Sequence, residues 1–514
     1  MAPTDGRPFA SRWLTSPFSW HVPDPGIPSE SHAAAGRGRA FAFDSAAGNG
    51  QRSCRHMHAT GTPQKPHGHA GPRRRQALAA LPHAMKRPLR IVACTLSMGT
   101  GNGISRMDEA LARCVDRERF HYTCCHTDIA RPETAGGGDW YVPVSASGRF
   151  ERLCALFADA DIVQFNGGFD PVACEAAAAA QVPTLLEVMH QCDRGQRSPR
   201  IHATVCVSQA VQRVQPVPER TLVIPNGIDV GAFSPTVARP ADPIIFLEVA
   251  QRGKAVHFHL DEVADALFAL DARIALRLAG SGQTGPDSPC GRVRFLGLRT
   301  DMADLYSGAH FLVLASKEDA FGLACAEAMA CGCLPIVAAD GGMAEIVEHG
   351  RTGWLFDPAD PDAFPAAVRE ALALEAAGET AAMRSRSRRA IRERFSMETC
   401  VTAYEALYAR CARENGVRDA EAKAPFRRRS AAGLIGETVM AMQAQLDIEA
   451  ILAPWLDTLA QPLAPMHEPG DAYWLTCRSM LLSLFGSIAR AGYAPLAATL
   501  SERLAALYPL PPQA

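Results

Sequence analysis

From residue 89 onward, short unbroken apolar runs alternate with helix-length amphipathic stretches, and the alternation starts twice. Leu89-Arg90-Ile91-Val92-Ala93-Cys94-Thr95 is the first run. A glycine-rich turn at Gly99–Gly103 follows, and then Ile104, Met107, Ala110, Leu111 and Cys114 recur at helical spacing. Further strands are expected at His121–Cys125, Asp161–Phe165, Thr184–Val188, Ala203–Val207 and Thr221–Ile224. A strand covered on both faces has no solvent side to alternate with, and a helical return pairs it in parallel with the next strand. The pattern therefore predicts an α/β fold with a parallel sheet buried on both faces. After a loop carrying Pro235, Pro240 and Pro243, a second series begins at Ile244–Val249. It continues through Arg273–Ala279, Val293–Leu296, His310–Leu314, Leu334–Val337 and Gly353–Phe356, with helices at Asp261–Leu270 and Phe321–Ala330 among the connections. The expectation is two Rossmann-like domains, 86–232 and 233–395, facing each other across a cleft. Ligands of such sheets bind at the carboxyl ends of the strands.

The flanks read differently. Residues 1–88 hold 12 Lys+Arg against 4 Asp+Glu, a local excess of +8 in a chain of net charge −2. They are rich in Gly, Pro, Ser and His without a sustained hydrophobic period, which predicts a disordered tail over 1–85. A transit peptide and a true start at Met85 are alternative origins for it. Residues 396–416 read as a closing helix capped by Ser396, with Glu398 in its first turn. A basic linker containing Arg427-Arg428-Arg429 then leads into a helical extension over 417–514. There Leu481, Leu484, Phe485 and Ile488 share one face, as do Leu496, Leu500, Leu504 and Leu507. The near-neutral charge argues against a nucleic-acid partner. No apolar run approaches the ~18–20 residues that span a bilayer. Sixteen scattered cysteines without CxxC pairs read as reduced thiols in a cytoplasmic protein.

The chemistry concentrates at one strand end. Asp319 falls in the turn after the strand ending Val313-Leu314-Ala315, with Glu318 beside it. Phe321-Gly322-Leu323 opens a helix whose free N–H groups and dipole favour an anion, and Glu327 lies about two turns into that helix. An isolated acid pair is ordinarily a solvated helix face; its placement after a strand, with the Gly341-Gly342 turn downstream, favours function. Arg252 and Lys254 follow the strand at 244–249 and are candidates to neutralise a diphosphate; the alternative is two solvated loop cations. In the first domain, Gly101 and Gly103 belong to a loop that a ligand could approach. His190 ends a strand, and Asn166 ends another on what would be the acceptor side. A lone histidine is as readily a structural residue. No DxD pattern occurs where a metal would be expected, so no metal and no further cofactor are expected.

Val223-Ile224-Pro225-Asn226-Gly227-Ile228-Asp229, the run Ala315–Pro335, Gly341-Gly342-Met343-Ala344-Glu345-Ile346-Val347 and Gly350-Arg351-Thr352-Gly353-Trp354-Leu355 together resemble glycosyltransferase family 4 on the GT-B fold. The resemblance covers roughly 89–412 and is strongest across 200–400. It implies a retaining transferase that moves a sugar from a nucleotide diphosphate to a glycan, lipid-linked or other acceptor, with the donor mainly on the second domain. It implies roles for Asp319, Glu327 and His190 at the reacting centre. Arg252, Lys254, Glu318, Phe321, Gly322, Leu323, Gly101 and Gly103 would hold the donor. The family's paired acids are Glu-x7-Glu; counting back eight positions from Glu327 lands on Asp319, one methylene shorter, with Glu318 as the neighbouring substitute. Asn226 and Gly227 shape the turn between domains. The Arg427–Arg429 cluster is the candidate for peripheral contact with an anionic inner membrane face. A sugar-nucleotide epimerase of the same fold, or a non-catalytic binding protein, are the alternatives.

Overall fold

The structure is a computed structural model. It describes residues 87–95, 103–126, 141–144, 149–166, 171–192, 195, 200–288, 291–417, 485–486, 489 and 494–507. The expectations for the 1–85 tail, for Gly101, for Arg427–Arg429 and for Leu481, Leu484 and Ile488 lie outside these residues.

The first lobe runs β1 (Leu89–Thr95), α1 (Gly103–Cys114), β2 (Phe120–His126), β3 (Tyr141–Pro143), α2 (Arg149–Phe157), β4 (Ile162–Asn166), α3 (Pro171–Ala179), β5 (Thr184–Met189), β6 (Ala203–Cys206), α4 (Gln209–Arg213) and β7 (Thr221–Val223). All seven strands are parallel, in the order β3-β2-β1-β4-β5-β6-β7. β1 shows why its sequence is apolar throughout. Ile91 and Ala93 pack into one core with α1, whereas Val92 and Cys94 pack into another on the opposite face. The three-residue β3 is too short to give a recognisable apolar run, and the sequence reading misses it.

The second lobe runs β8 (Ile244–Val249), α5 (Ala264–Leu270), β9 (Ile274–Ala279), β10 (Val293–Gly297), α6 (Met302–Gly308), β11 (Phe311–Leu314), α7 (Leu323–Ala330), β12 (Leu334–Ala338), α8 (Met343–Ile346), β13 (Trp354–Phe356), α9 (Ala363–Ala376) and α10 (Thr380–Arg394). Its six parallel strands lie in the order β10-β9-β8-β11-β12-β13. In both sheets the strand order reverses beside the first strand of the lobe, between β1 and β4 and between β8 and β11. Such reversals leave a crevice at the strands' carboxyl ends.

The helix α11 (Met397–Asn415) begins at Ser396, whose side chain accepts the Thr399 N–H at 3.3 Å. It does not stay with the lobe that precedes it. Tyr404, Leu407, Tyr408 and Cys411 pack into the core of the first sheet. At its start Ile228 N–H donates to Phe395 O and Met397 N–H to Ile228 O, so the two interlobe segments pair with each other. The reading of Gly227 as a turn residue acquires a packing reason here, because a Cβ would stand 2.8 Å from the Met397 Cα. A single apolar cluster then bridges the lobes, joining Met189, Cys206, Val207 and Val211 to Cys325, Met329 and Met343. Full burial of each large side chain contributes about 1.5–3 kcal/mol. Toward the C-terminus, α12 (Ala494–Leu507) forms where leucines recur at helical spacing.

Candidate active site

After β11 the chain turns sharply through 315–322. Glu318 takes a positive φ of 50° and is exposed, whereas Asp319 is half-buried. The Gly341 turn presses on this segment from the next strand end: its φ is +62°, and a Cβ there would stand 2.2 Å from the Asp319 carbonyl oxygen. Only glycine allows that approach. The Asp319 carbonyl in turn accepts the Gly342 N–H at 2.7 Å. Gly322, at φ +95°, is the residue before α7, and the first intrahelical bond runs from Ala326 N–H to Gly322 O. The N–H groups of Leu323, Ala324 and Cys325 precede that bond, at the positive end of the helix dipole.

Two corrections concern side chains here. Phe321 is buried at 3% exposure with its ring edge-on to Phe395, so its side chain belongs to the core. Glu327 is the fifth residue of α7, about one turn in rather than two.

Both acids are ion-paired. Lys254 Nζ lies 2.5 Å from Asp319 Oδ2. Glu327 receives Arg106 Nη2 on Oε1 at 2.5 Å and the Tyr306 hydroxyl on Oε2 at 3.1 Å. Burial pushes the Glu327 carboxyl up from its ordinary range, and the Arg106 guanidinium pulls it back down. Arg106 is on α1, so this pair crosses from one lobe to the other. Its guanidinium also lies over the Phe233 ring, 5.6 Å from the centroid.

The starts of two helices meet at the same place. Gly103 is the first residue of α1 and Leu323 the first of α7. A Cβ on Gly103 would stand 2.5 Å from Leu323 Cδ1, so the positive starts of the two helices lie close together across the lobes. His190 directly follows β5, and loss of solvation lowers its pKa to about 4. It is therefore a neutral ring near pH 7, able to donate from one nitrogen and accept at the other. Asn166 is 2% exposed and turned inward, donating to Asp108 Oδ1 and accepting from Gln164 Nε2, so its side chain does not line an acceptor surface.

Comparison with known proteins agrees with the fold. Residues 244–373 match the family model described as glycosyl transferases group 1. The chain is 34% identical over 117 residues to an N-acetyl-alpha-D-glucosaminyl L-malate synthase of Bacillus anthracis, covering 23% of this chain and 30% of that protein. It is 30% identical over 226 residues to a D-inositol 3-phosphate glycosyltransferase of Geodermatophilus obscurus, covering 38% of this chain and 49% of that protein. The chain thus spans half or less of the length of these two relatives. Among solved structures, Anabaena Alr3699/HepE in complex with UDP and glucose superposes with a TM-score of 0.51 at 18% identity, over 62% of this chain and 99% of that one. A glycosyltransferase from Rickettsia africae superposes at 0.52 with 15% identity, over 64% of this chain and 99% of that one. The chain has the GT-B fold.

Within this GT-B fold the two loop cations part company. Lys254 reaches the acid, but Arg252 turns away to pair with Asp261 at 2.6 Å and Glu262 at 3.7 Å. The sequence reading grouped them because both follow the strand at 244–249; in the loop they serve different partners. It also missed Arg106, Tyr306 and Glu345. The Glu345 carboxylate accepts the N–H groups of Gln209 and Ala210, at 2.9 and 2.7 Å, and so caps α4 of the opposite lobe. Ser208 caps α4 locally by accepting the Val211 N–H at 3.2 Å, but nothing local says that the second lobe supplies a carboxylate to it. Among the described residues, no group of three or more His, Cys, Asp or Glu side chains is placed to hold a metal ion, and no helix is long and apolar enough to cross a membrane.

Proposed function

We propose that this chain transfers a sugar from a nucleotide-diphosphate donor to a glycan, lipid-linked or other acceptor, with retention at the anomeric carbon. The observation that carries the reading is the convergence of two helix starts, at Gly103 and Leu323, on one place beside Lys254 and the acid pair. Neighbouring helix N-termini with a lysine beside them suit a diphosphate. As the bond between the anomeric carbon and the phosphate oxygen breaks, negative charge grows on the leaving diphosphate. In this reading Lys254 and the helix starts supply the positive potential that offsets that charge. Donor binding draws Lys254 from Asp319 toward phosphate and frees the Asp319 carboxylate for sugar hydroxyls. Neutral His190 hydrogen-bonds the transferred sugar. The acceptor hydroxyl attacks from the face the diphosphate leaves, and its proton passes to a leaving phosphate oxygen, so no enzymic nucleophile is needed. The donor is a co-substrate, and the reading includes no resident metal. Contact with a membrane-borne acceptor rests on Arg427–Arg429 alone.

The test is release of nucleoside diphosphate from UDP-, GDP- and ADP-sugars, with and without a panel of acceptors, alongside thermal shifts for each donor. A donor that raises the melting point and yields diphosphate only with acceptor supports transfer. A non-catalytic binding role is favoured by one observation, that both acids are already ion-paired. Thermal shift with every donor but no turnover with any acceptor would decide for it.

A further inference from the structure

The loop that carries Lys254 is gripped from beneath by a buried polar group that the proposed chemistry does not use. Glu248, His259 and Gln283 are 4%, 5% and 0% exposed. His259 Nδ1 lies 2.6 Å from Glu248 Oε1, and Gln283 Nε2 donates to the same oxygen at 3.0 Å. Glu248 Oε2 accepts the Leu260 N–H at 2.6 Å. The far sides of the two partners reach the loop. His259 Nε2 lies 3.2 Å from the Arg252 carbonyl oxygen, and Gln283 Nε2 lies 3.2 Å from the Ala250 carbonyl oxygen. A carbonyl oxygen only accepts, so the ring makes the Arg252 contact through a hydrogen on Nε2.

The loop's backbone is laid on the strand end beneath it in the same way. Ala250 N–H donates to Ala279 O and Arg252 N–H to Ser281 O. Gly280, at φ +134°, lies so close that a Cβ would stand 2.2 Å from the Ala250 oxygen. On its other side the loop joins the 315–319 turn, with Lys317 N–H donating to Ala255 O and His257 N–H to Ala315 O. The position of Lys254 against Asp319 is therefore set by where residues 250–254 are pinned.

We infer that His259, oriented by Glu248 and supported by Gln283, is the positioning residue of the Arg252–Lys254 loop and thereby sets affinity for the donor's diphosphate. This rests on the donor reading given above. Because a buried donor left without its acceptor is costly, the ring holds the loop in one place rather than merely filling space.

The test compares His259→Gln, whose amide nitrogen can still reach the Arg252 carbonyl, with His259→Asn, whose amide can reach only Glu248. UDP, GDP and ADP binding, donor KM and kcat, and hydrogen–deuterium exchange of the 250–257 backbone are measured on the full chain. His259→Asn is expected to weaken binding of the cognate diphosphate and raise donor KM about tenfold, with kcat within about threefold of wild type and faster exchange over 250–257. His259→Gln is expected to stay within about threefold of wild type in all of these. Equal behaviour of the two variants, or unchanged exchange in His259→Asn, overturns the inference. If the wild type binds no nucleoside diphosphate, it is the donor reading that fails, and exchange still decides whether His259 positions the loop. Should the histidine variants fail to fold, Gln283→Met gives the same reading, with faster exchange over 250–257 supporting the grip and unchanged exchange refuting it.

Discussion

Arg106 and Glu327, 221 positions apart in the chain, meet at 2.5 Å across the boundary between the two lobes. The arginine is 44% exposed and the glutamate 4%. One end of the pair is thus reachable by solvent or ligand while the other is sealed beneath it. The remaining Glu327 oxygen accepts the buried Tyr306 hydroxyl of its own lobe, so this acid is held by one residue from each lobe.

Replacing Arg106 by Met leaves a buried carboxylate with only a hydroxyl partner. Removing one member of a fully buried pair costs about 3–5 kcal/mol, and the exposure of Arg106 reduces this to about 1–2 kcal/mol. The sign with pH follows from Glu327. Its pKa, already raised by burial, rises further without the guanidinium, so the native variant holds this proton more tightly than the unfolded chain. The loss relative to wild type should be small below about pH 4.5 and grow as pH rises. Urea unfolding at about pH 4.5 and about pH 7.5 checks this, and an equal loss at both refutes it.

Asp319→Glu lengthens the first acid to the family's usual length, yet it should lower rather than raise activity. Lys254 Nζ sits 2.5 Å from the carboxylate, and the Gly341 turn closes on the backbone behind it, so an added methylene has to displace one or the other. A fall of about tenfold in kcat/KM is expected, against a fall of about 100-fold or more for Lys254→Met, which removes positive charge where the leaving group departs. Steady-state kinetics with the cognate donor measures both, and an Asp319→Glu enzyme faster than wild type would show that the shorter acid is not fitted to its surroundings.

Asp108 should govern part of the change in stability between acid and neutral pH. It is 1% exposed and accepts from Tyr122 and Asn166, and burial pushes its pKa up to about 7. A carboxyl with a raised native pKa favours the folded state fully below about pH 4, and this advantage drains away as pH rises through about 7. Three pKa units correspond to about 4 kcal/mol. Asp108→Asn, which keeps an acceptor oxygen and carries no titrating proton, should flatten the stability profile over about pH 4–7 and gain on wild type toward about pH 8. Parallel profiles for the two proteins would contradict this.

Glu345→Ala removes the carboxylate that caps α4 from the other lobe. The loss of a helix cap costs about 1 kcal/mol. Because the cap joins two lobes, the change should also speed exchange at the Gln209 and Ala210 amides. Hydrogen exchange localises the effect, and protection unchanged at those amides would show that the contact contributes nothing in solution.

What could be read from the sequence alone was whatever depends on near neighbours. The apolar runs at Leu89–Thr95 and Ile244–Val249 stand for strands buried on both faces, and the turn carrying Asp319, Gly322 and the start of α7 is encoded within eight residues. Local steric and hydrogen-bonding rules act over that range, and so the two parallel sheets and the strand-end position of the acids were legible. Tertiary structure alone decided the partners. Tyr408, on the closing helix, reaches Gln164 of the first sheet 244 positions away at 2.9 Å. Arg106 finds Glu327, Glu345 finds α4, and Lys254 separates from Arg252. An ion pair leaves no periodic trace in the chain, because its energy depends on a distance set by how two lobes are oriented. That orientation is fixed by the shared apolar cluster and the return of α11, neither of which any single segment encodes.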